Sequence, residues 1–248
     1  MADRTSLTYK IKKAAASPGR VLPYFRRSAR NARLKLASSS HTDFYRAVMA
    51  DETAKDPDRA IGSDSQDSWM WVGELQHTYL LRHGLRPEHR LLDIGCGNMR
   101  AGWRLMQYLD PGNYYGVDIS PDILIAAQDT VCRFDLRDRL PYLTVIGDLK
   151  LRFLPDGHFD VVIAHSVFSH TPISVIGEAL AHVGRVLKPS GFFDFTYFEA
   201  DGPARNFLRE DFYYPTQQIL DLVRSHGLTA EKMQDWDYAQ AKIRVRRP

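Results

Sequence analysis

The stretch LLDIGCGNMRAG, residues 91–102, decides how this chain folds. It begins with residues of strand type, continues through two glycines, Gly95 and Gly97, and leads into a helical pattern near residue 101. Glycine adopts unusual backbone conformations at little cost and lets another group approach the main chain closely. A strand, a glycine turn and a helix in this order predict a ligand site at a helix N-terminus.

Strand-length apolar runs alternate with helical patterns along the rest of the chain. The predicted strands cover residues 90–94, 113–117, 143–146, 159–164 and 192–198, and the predicted helices cover residues 101–108, 121–133, 173–187 and 215–226. This alternation predicts a doubly wound, mostly parallel α/β sheet. Residues 228–247 predict two further strands, the last of them antiparallel to its neighbour, for a seven-stranded sheet.

The N-terminal part has a different character, and we expect two regions: a basic extension, lid and linker over residues 1–68, and a catalytic domain over residues 69–248. Residues 1–40 carry ten basic side chains against one acid, Asp3, so their net charge is about +9, whereas the remainder carries about −6. Residues 24–37 have a sparse helical pattern, and residues 38–68 have the polar composition of a linker. A basic arm suggests contact with an anionic partner or a membrane surface, and a solvated tail is the alternative.

A helical pattern begins at Trp69 and ends at Gly84. Its spacing predicts a buried face formed by Trp71, Leu75, Tyr79 and Leu80.

Composition favours a globular protein of the cytoplasm. The chain has 248 residues and two cysteines, Cys96 and Cys132, so no disulfide framework is indicated. No apolar run approaches the roughly 20 residues of a membrane span, and the basic N-terminus lacks the apolar segment of a signal peptide.

The glycine turn does not match the common phosphate-binding loops. In a dinucleotide fingerprint a third glycine follows at the place that Arg100 occupies. Gly97 and Gly102 have the spacing of a Walker loop, but Trp103 stands where that loop has lysine. Neither a pyrophosphate nor a triphosphate ligand is therefore favoured.

Acidic residues lie at or near the ends of three predicted strands, where open α/β sheets bind their ligands. Asp93 can pair with the ammonium of an amino acid, Asp118 can accept hydrogen bonds from ribose hydroxyls, and Asp148 can accept one from an adenine amine. A backbone N–H beside Asp148 suits a ring nitrogen. S-adenosylmethionine contains all three groups. Helix capping is the alternative for Asp118 and Asp148.

From about Trp71 to its end, the sequence resembles the class I S-adenosylmethionine-dependent methyltransferases. LLDIGCG resembles their first motif, GVDIS their ribose-binding strand end, and GDLKLRFLPDGHFDVVIAHSVFSH their adenine contact and next strand. CGNMRAG is similar to a branch that reads roughly CGxLRGG, with Met99 where the commonest loop has glycine. The resemblance implies S-adenosylmethionine as cofactor and these cofactor-binding residues: Asp93, Gly95, Cys96, Gly97, Asp118, Ile119, Asp148, Leu149 and His165.

Two histidines in AHSVFSHTP, residues 164–172, are candidates for catalysis. Many members of the family have a histidine that matches His170 and faces the methyl acceptor, and imidazole accepts protons near neutral pH. His170 could instead cap the next helix. His165 is the second candidate, although a place at the methionine end of the cofactor suits it better. Tyr197, Glu199 and Asp201 follow the next strand and should border the acceptor.

These features predict O-methylation of a small molecule, a glycan or a lipid-linked saccharide, with a histidine as general base. Methylation of an amine on a small molecule is the alternative, and so is a protein that binds or modifies RNA through its basic arm. Nucleic acid is not favoured, because Tyr9, Tyr24 and Phe25 are too few aromatic residues for a stacking platform. No metal is predicted, because no carboxylate cluster or HxxxH pair accompanies the histidines.

Overall fold

The structure is a computed structural model that describes residues 18–248, so the start of the basic arm lies outside the described residues. Among the described residues, four helices precede the first strand: α1 (Pro18–Leu36), α2 (His41–Thr53), α3 (Pro57–Ala60) and α4 (Gln66–Arg82). Side chains of Ser40, Asp56 and Ser65 accept hydrogen bonds from the first backbone N–H groups of α2, α3 and α4. The polar residues that suggested a linker over residues 38–68 therefore include helix caps.

From residue 91 onward, strands and helices alternate as predicted. The strands are β1 (Leu91–Ile94), β2 (Tyr114–Asp118), β3 (Tyr142–Val145), β4 (Phe159–Ala164), β5 (Leu187–Glu199), β6 (Arg205–Phe207), β7 (Asp211–Tyr214), β8 (Thr229–Lys232) and β9 (Ala241–Arg246). The connecting helices are α5 (Gly102–Tyr108), α6 (Pro121–Arg133), α7 (Ile173–Val186) and α8 (Thr216–Ser225), with one 3-10 turn at Arg137–Arg139. Within residues 18–248, no helix combines the length and the apolar character of a membrane span.

The predicted doubly wound, mostly parallel sheet is confirmed. Its strands run in the order β3-β2-β1-β4-β5, and β9 lies antiparallel between β5 and β8. A buried pair of hydrogen bonds from Arg244 to Asp194, 2.8 and 2.6 Å long, joins β9 to β5. The prediction of seven strands was two short among the described residues. It missed the hairpin of β6 and β7, whose strands have only three and four residues and which pairs with the end of β5.

The parallel register brings the carboxyl ends of β1, β2 and β4 to one edge of the sheet. Asp93 is level with Gly116 of β2 and Ile163 of β4, and Asp118 is level with Val145 of β3. Apolar clusters cover both faces of the sheet, one with α7 and α8 and the other with α4, α5 and α6. This double cover explains the apolar strand FDVVIA.

Helix α4 buries Tyr79 and Leu80 as predicted, but Leu75 is only half-buried and the predicted burial of Trp71 is wrong. Trp71 is 56% exposed, whereas Trp69 is buried and donates a hydrogen bond of 3.0 Å from its indole to Asn98 Oδ1. Gly73 lies against the backbone of Arg100, where a β-carbon would come within 2.2 Å of the carbonyl oxygen. These two contacts with the glycine turn set the rotation of the helix, and hydrophobic spacing alone could not reveal them.

The close contact at Gly73 predicts a loss of stability in Gly73→Ala. The added methyl group would overlap the Arg100 carbonyl, so α4 must move, and overpacking of this kind costs about 1–3 kcal/mol. Gly177→Ala is the matched control, because Gly177 also lies inside a helix and its nearest neighbours are 3.8 Å away. That change should stabilise the protein by about 0.5–1 kcal/mol. Urea unfolding of both variants measures the difference, and equal stability of the two would contradict the prediction.

Candidate active site

The carboxyl ends of β1, β2 and β4 line a cavity of about 570 Å³. The sequence predicted ten cofactor-binding or catalytic residues on four separate segments, and all ten line this cavity. They are Asp93, Gly95, Cys96, Gly97, Asp118, Ile119, Asp148, Leu149, His165 and His170. Their individual roles stay predictions, and the geometry around each shows what it could do.

Bare main chain forms one wall of the cavity at the glycine turn. Gly95 and Gly97 both have positive φ, +72° and +56°, a conformation that favours glycine. A β-carbon on Gly95 would lie 2.4 Å from Val167, and one on Gly97 would lie 3.0 Å from Ile61. Both positions therefore favour glycine, because their φ angles are positive and because Val167 and Ile61 leave little room for a β-carbon. Without side chains at these positions, a ligand can approach the main chain of the turn closely.

Met99 takes no part in this wall. It has a φ of 69° and is fully buried in the core beneath the turn, where it packs against Gly102. The positive φ explains why a glycine suits this position, since a side chain there is strained. Met99 retains the conformation and fills the core instead of the cavity.

Asp118, the last residue of β2, contacts the glycine turn directly. Its carboxylate accepts hydrogen bonds from the backbone N–H of Gly97 at 3.1 Å and of Ser120 at 2.9 Å. Burial raises the pKa of Asp118 to about 6, although the two hydrogen bonds by themselves lower it. The capping alternative is only partly realised, because Ser120 is the residue that caps α6.

Asp93 lies beneath the turn and is buried as well. Its Oδ2 accepts a hydrogen bond of 2.7 Å from the hydroxyl of Tyr114. Burial, together with the nearby charge of Asp118, raises its pKa to about 7. A cationic group bound in the cavity would relieve both effects.

Asp148 lies at the exposed rim of the cavity, whereas the side chain of Leu149 is buried. Asp148 accepts a hydrogen bond of 3.0 Å from the backbone N–H of Lys150, and its side chain remains 49% exposed. The backbone N–H of Leu149 donates to Glu178 Oε2 at 3.0 Å. The backbone donor that was expected to serve a ring nitrogen is thus engaged by Glu178 in this structure.

Helices α2 and α3 cover the cavity, although the composition of residues 38–68 had indicated a linker. His41 donates from Nε2 to the backbone oxygen of His170 at 2.8 Å, and Arg46 donates from Nε to that of Ile119 at 2.8 Å. Asn98 in the glycine turn donates to Asp58 at 2.6 Å. The buried pair of Phe44 and Val48, spaced by four residues, was the available signal of a packed helix.

Arg100 is a site residue that the sequence analysis missed. Its guanidinium lines the cavity, is almost fully buried, and donates from Nη1 to Ile61 O at 3.1 Å and to Ser63 Oγ at 3.0 Å. Both partners are neutral, and Nε–H is buried without a partner among the described residues. Burial lowers its pKa, and nearby Asp93 and Asp58 partly offset this. Such a group favours an anion in the cavity.

The two candidate histidines have different surroundings. Both ring nitrogens of His165 are buried without a hydrogen-bond partner among the described residues, and its ring lies 5.4 Å from those of Trp236 and Tyr238. Burial and the positive charges of Arg100 and Lys242 hold its pKa well below the ordinary value. Both effects disfavour the protonated form of His165.

His170 is held by specific contacts on several sides. Its Nδ1 lies 2.9 Å from the carbonyl oxygen of Glu210 and 3.3 Å from Oδ1 of Asp211. Its ring stacks on Tyr45 with centroids 5.5 Å apart and meets the edge of Phe198 at 6.0 Å. A proton acceptor on the cavity wall fits His170 better than His165.

The residues that were expected to border the acceptor lie elsewhere. Tyr197 is buried in the core and shares a hydrogen bond of 2.6 Å with Thr216. Glu199 lines a second cavity of about 310 Å³, and Asp201 is exposed. Phe198 lies between them in sequence and lines both cavities. Successive side chains of a strand point to opposite faces, so Tyr197 and Glu199 do not share the face on which Phe198 lines the larger cavity.

Comparison with known proteins supplies the context of this geometry. The family model described as "Methyltransferase domain" matches residues 92–193. An uncharacterized methyltransferase of Schizosaccharomyces pombe is 28% identical over 56% of this chain and 52% of its own length. EEF1A lysine methyltransferase 4 of Mus musculus is 30% identical over 52% of this chain and 55% of its own length. The chain spans about half the length of these curated relatives.

Solved structures show the same fold. Magnesium protoporphyrin IX methyltransferase from Synechocystis PCC 6803 with bound SAM has a TM-score of 0.64 at 19% identity, and the match covers 86% of this chain and 99% of that one. The [4+2]-cyclase SpnF has a TM-score of 0.59 at 19% identity, with 71% of this chain and 82% of that one covered.

Proposed function

The chain belongs to the class I S-adenosylmethionine-dependent methyltransferases, and from this premise we propose that it transfers a methyl group to a hydroxyl of a small, uncharged molecule. S-adenosylmethionine is its cofactor. The observation that carries the hydroxyl acceptor is the geometry of His170, whose Nδ1 is engaged by Glu210 and Asp211, so that Nε2 is left for a substrate proton.

The residues around the cavity fit the cofactor. The bare turn at Gly95 and Gly97 can accommodate a closely packed ligand, and the buried carboxylate of Asp118 can accept hydrogen bonds from ribose hydroxyls. Arg100 offers an unpartnered N–H to a carboxylate, and Asp93 offers a buried carboxylate to an ammonium. An amino-acid group has both of these charges, so it complements the end of the cavity at which Arg100 and Asp93 lie.

The protein then has two tasks in the reaction. When bound, the cofactor supplies a methyl group that is already electrophilic. The cavity wall aligns the acceptor oxygen with that methyl group and excludes water, and such alignment supplies much of the rate enhancement. His170 Nε2 takes the proton of the acceptor hydroxyl as the oxygen forms its bond to carbon.

The half of the cavity around His170 supports an uncharged acceptor. Arg30 donates to Glu210 at 2.6 Å and also pairs with Glu52, and Arg27 pairs with Glu210. These charges neutralise one another and leave little attraction for a strongly charged substrate. Tyr45 and Phe198 flank His170 with aromatic faces, which suit the apolar face of a sugar or an aromatic ring.

The other functions predicted from the sequence remain alternatives. One relative is named EEF1A lysine methyltransferase 4, and a lysine side chain is an amine, so its name supports an amine acceptor as the alternative. An amine needs no general base once it is neutral. Contact of the basic arm with RNA or a membrane surface stays a proposal, as does a cytoplasmic location. The ion pairs of Arg27 and Arg30 with Glu210 reduce the charge that the arm presents to such partners.

An acceptor screen tests the proposed function. The purified protein is incubated with S-adenosylmethionine and with matched pairs of compounds, each pair differing by a hydroxyl or an amine at the same position. We expect S-adenosylhomocysteine to accumulate with uncharged hydroxyl compounds, and mass spectrometry to show the methyl group on oxygen. Methylation of the amine members alone, or of RNA alone, would contradict the proposal.

A further inference from the structure

The tautomer of His170 follows from its contacts. The Glu210 carbonyl oxygen, 2.9 Å from Nδ1, can only accept a hydrogen bond, so Nδ1 carries the proton in the neutral ring. Asp211 Oδ1 lies 3.3 Å from the same nitrogen. The opposite ring nitrogen, Nε2, is therefore the proton acceptor, and a carboxylate lies where it stabilises the charge that the ring acquires.

The turn that carries both partners of His170 is held by helix α1. Leu208 and Arg209 in this turn have φ values of 51° and 62°, which are unfavourable for residues with side chains. Asn31 donates to the Leu208 carbonyl at 3.0 Å, and Arg27 donates from Nε to Glu210 at 2.8 Å. Residues at positions 27, 30 and 31 lie on one face of a helix, so α1 contacts the strained turn with a single face.

Several charged or titratable groups face His170 from the elements packed around it. They are Arg27 and Arg30 of α1, His41 and Tyr45 of α2, and Glu210 and Asp211 of the turn. Burial opposes ionisation of Asp211, but its contacts with His170 and Arg27 lower its pKa overall. Arg27 Nη2 lies 3.4 Å from Asp211 Oδ2, so one carboxylate is shared between the imidazole and the guanidinium.

We propose that Asp211 and Arg27 are positioning residues for His170, and that helix α1 is thereby part of the active centre. Asp211 holds the ring with Nε2 available and stabilises its protonated form. Arg27 holds the turn through its ion pair with Glu210 and competes with the His170 ring for the carboxylate of Asp211. The inference rests on the proposed function, in which His170 accepts the proton of the substrate hydroxyl. In the same step the hydroxyl oxygen forms a bond to the methyl carbon. The bond between that carbon and sulfur breaks, and its electron pair stays on sulfur.

The test measures the titration of His170 by proton–nitrogen NMR in ligand-free protein, with the signal assigned from His170→Gln. In Asp211→Asn the amide oxygen can still accept the Nδ1 hydrogen bond, but the charge is lost. We expect the titration midpoint to fall by about 1 pH unit. In Arg27→Met the carboxylate acts on the imidazole alone, so the midpoint should rise.

Arg26→Met is the matched control, because Arg26 is an exposed neighbour on the same helix. It should leave the midpoint unchanged. Opposite shifts in the two test variants support the proposal. An unchanged midpoint in Asp211→Asn overturns it, and so does a fall in Arg27→Met. If Asp211→Asn does not fold, Arg27→Met still decides by the sign of its shift.

Turnover separates this inference from the proposed function. With an acceptor from the screen, Asp211→Asn should lower the maximal rate about 10-fold and move the acid limb of the pH–rate profile to lower pH. If His170→Ala retains full turnover, the proposed role of His170 fails whatever the NMR midpoints show. If His170→Ala is inactive but the midpoints do not move, the role of His170 stands and the positioning by Asp211 and Arg27 fails.

Discussion

Replacing His170 with alanine is expected to lower the turnover of methyl transfer to a hydroxyl about 10²–10⁴-fold, the usual contribution of a positioned general base. The proton of a hydroxyl must leave as the methyl group arrives, and water is a poor base at neutral pH. His165 cannot replace it, because burial and two neighbouring cations hold its pKa well below the ordinary value. Initial rates at saturating acceptor measure the effect.

His170→Gln separates proton transfer from positioning. Glutamine can retain hydrogen bonds in the loop, but it cannot take up the substrate proton. Turnover of this variant should therefore stay close to that of His170→Ala. Calorimetry should show nearly unchanged affinity for S-adenosylmethionine in both variants, because the turn at Gly95 and Gly97 and the partners of Asp118 are unaltered. Near-normal turnover of His170→Gln would show that the enzyme works by alignment alone, as an amine acceptor would allow.

Replacing Arg100 with methionine is expected to weaken the binding of S-adenosylmethionine about 10–100-fold. The buried Nε–H has no partner among residues 18–248, and a carboxylate placed there would accept a charge-assisted hydrogen bond. Loss of such a bond costs about 1.5–3 kcal/mol. Titration calorimetry near neutral pH measures the affinity directly and needs no acceptor.

A second ligand shows whether Arg100 acts on the carboxylate. Methylthioadenosine has the adenine, ribose and sulfur of the cofactor but no amino-acid group, so Arg100→Met should scarcely change its affinity. Arg104→Met is the control for loss of a largely buried arginine, since Arg104 pairs with Glu74 and does not line the cavity. Equal losses for the two ligands in Arg100→Met would mean that Arg100 only supports the loop at Ile61 and Ser63.

Much of the sheet and of the cofactor side could be predicted from sequence. Apolar runs such as FDVVIA report burial on both faces, and this depends on local composition. Polar residues at consecutive strand ends, such as Asp93 and Asp118, converge in any parallel sheet, because its strands all end at one edge. The hairpin of β6 and β7 was missed, since strands of three and four residues are too short to show a hydrophobic period.

The acceptor side could not be predicted in the same way. His170 was identified from its match to a histidine of the resembled family, but its neighbour Asp211 and Arg27, which contacts Asp211, lie 41 and 143 residues away in sequence. Arg100 was noted only as the residue that breaks a dinucleotide fingerprint, whereas its hydrogen bonds to Ile61 and Ser63 and its unpartnered Nε–H depend on tertiary contacts. The N-terminal extension was described by its charge, whereas its arginines pair with Glu210 across the structure.

The doubly wound sheet and the glycine turn could be predicted from sequence, because hydrophobic period and turn chemistry are local properties of the chain. The strand ends then meet in one cavity, because parallel strands all end at one edge of a sheet. Only the folded protein shows that α4 buries Trp69 instead of Trp71, that Asp211 lies beside His170, and that α2 and α3 cover the cavity. Those outcomes depend on contacts such as Gly73 with Arg100 and Nδ1 of His170 with Asp211. Burial and charge pairing between distant segments set them, and neither leaves a periodic signal in the sequence.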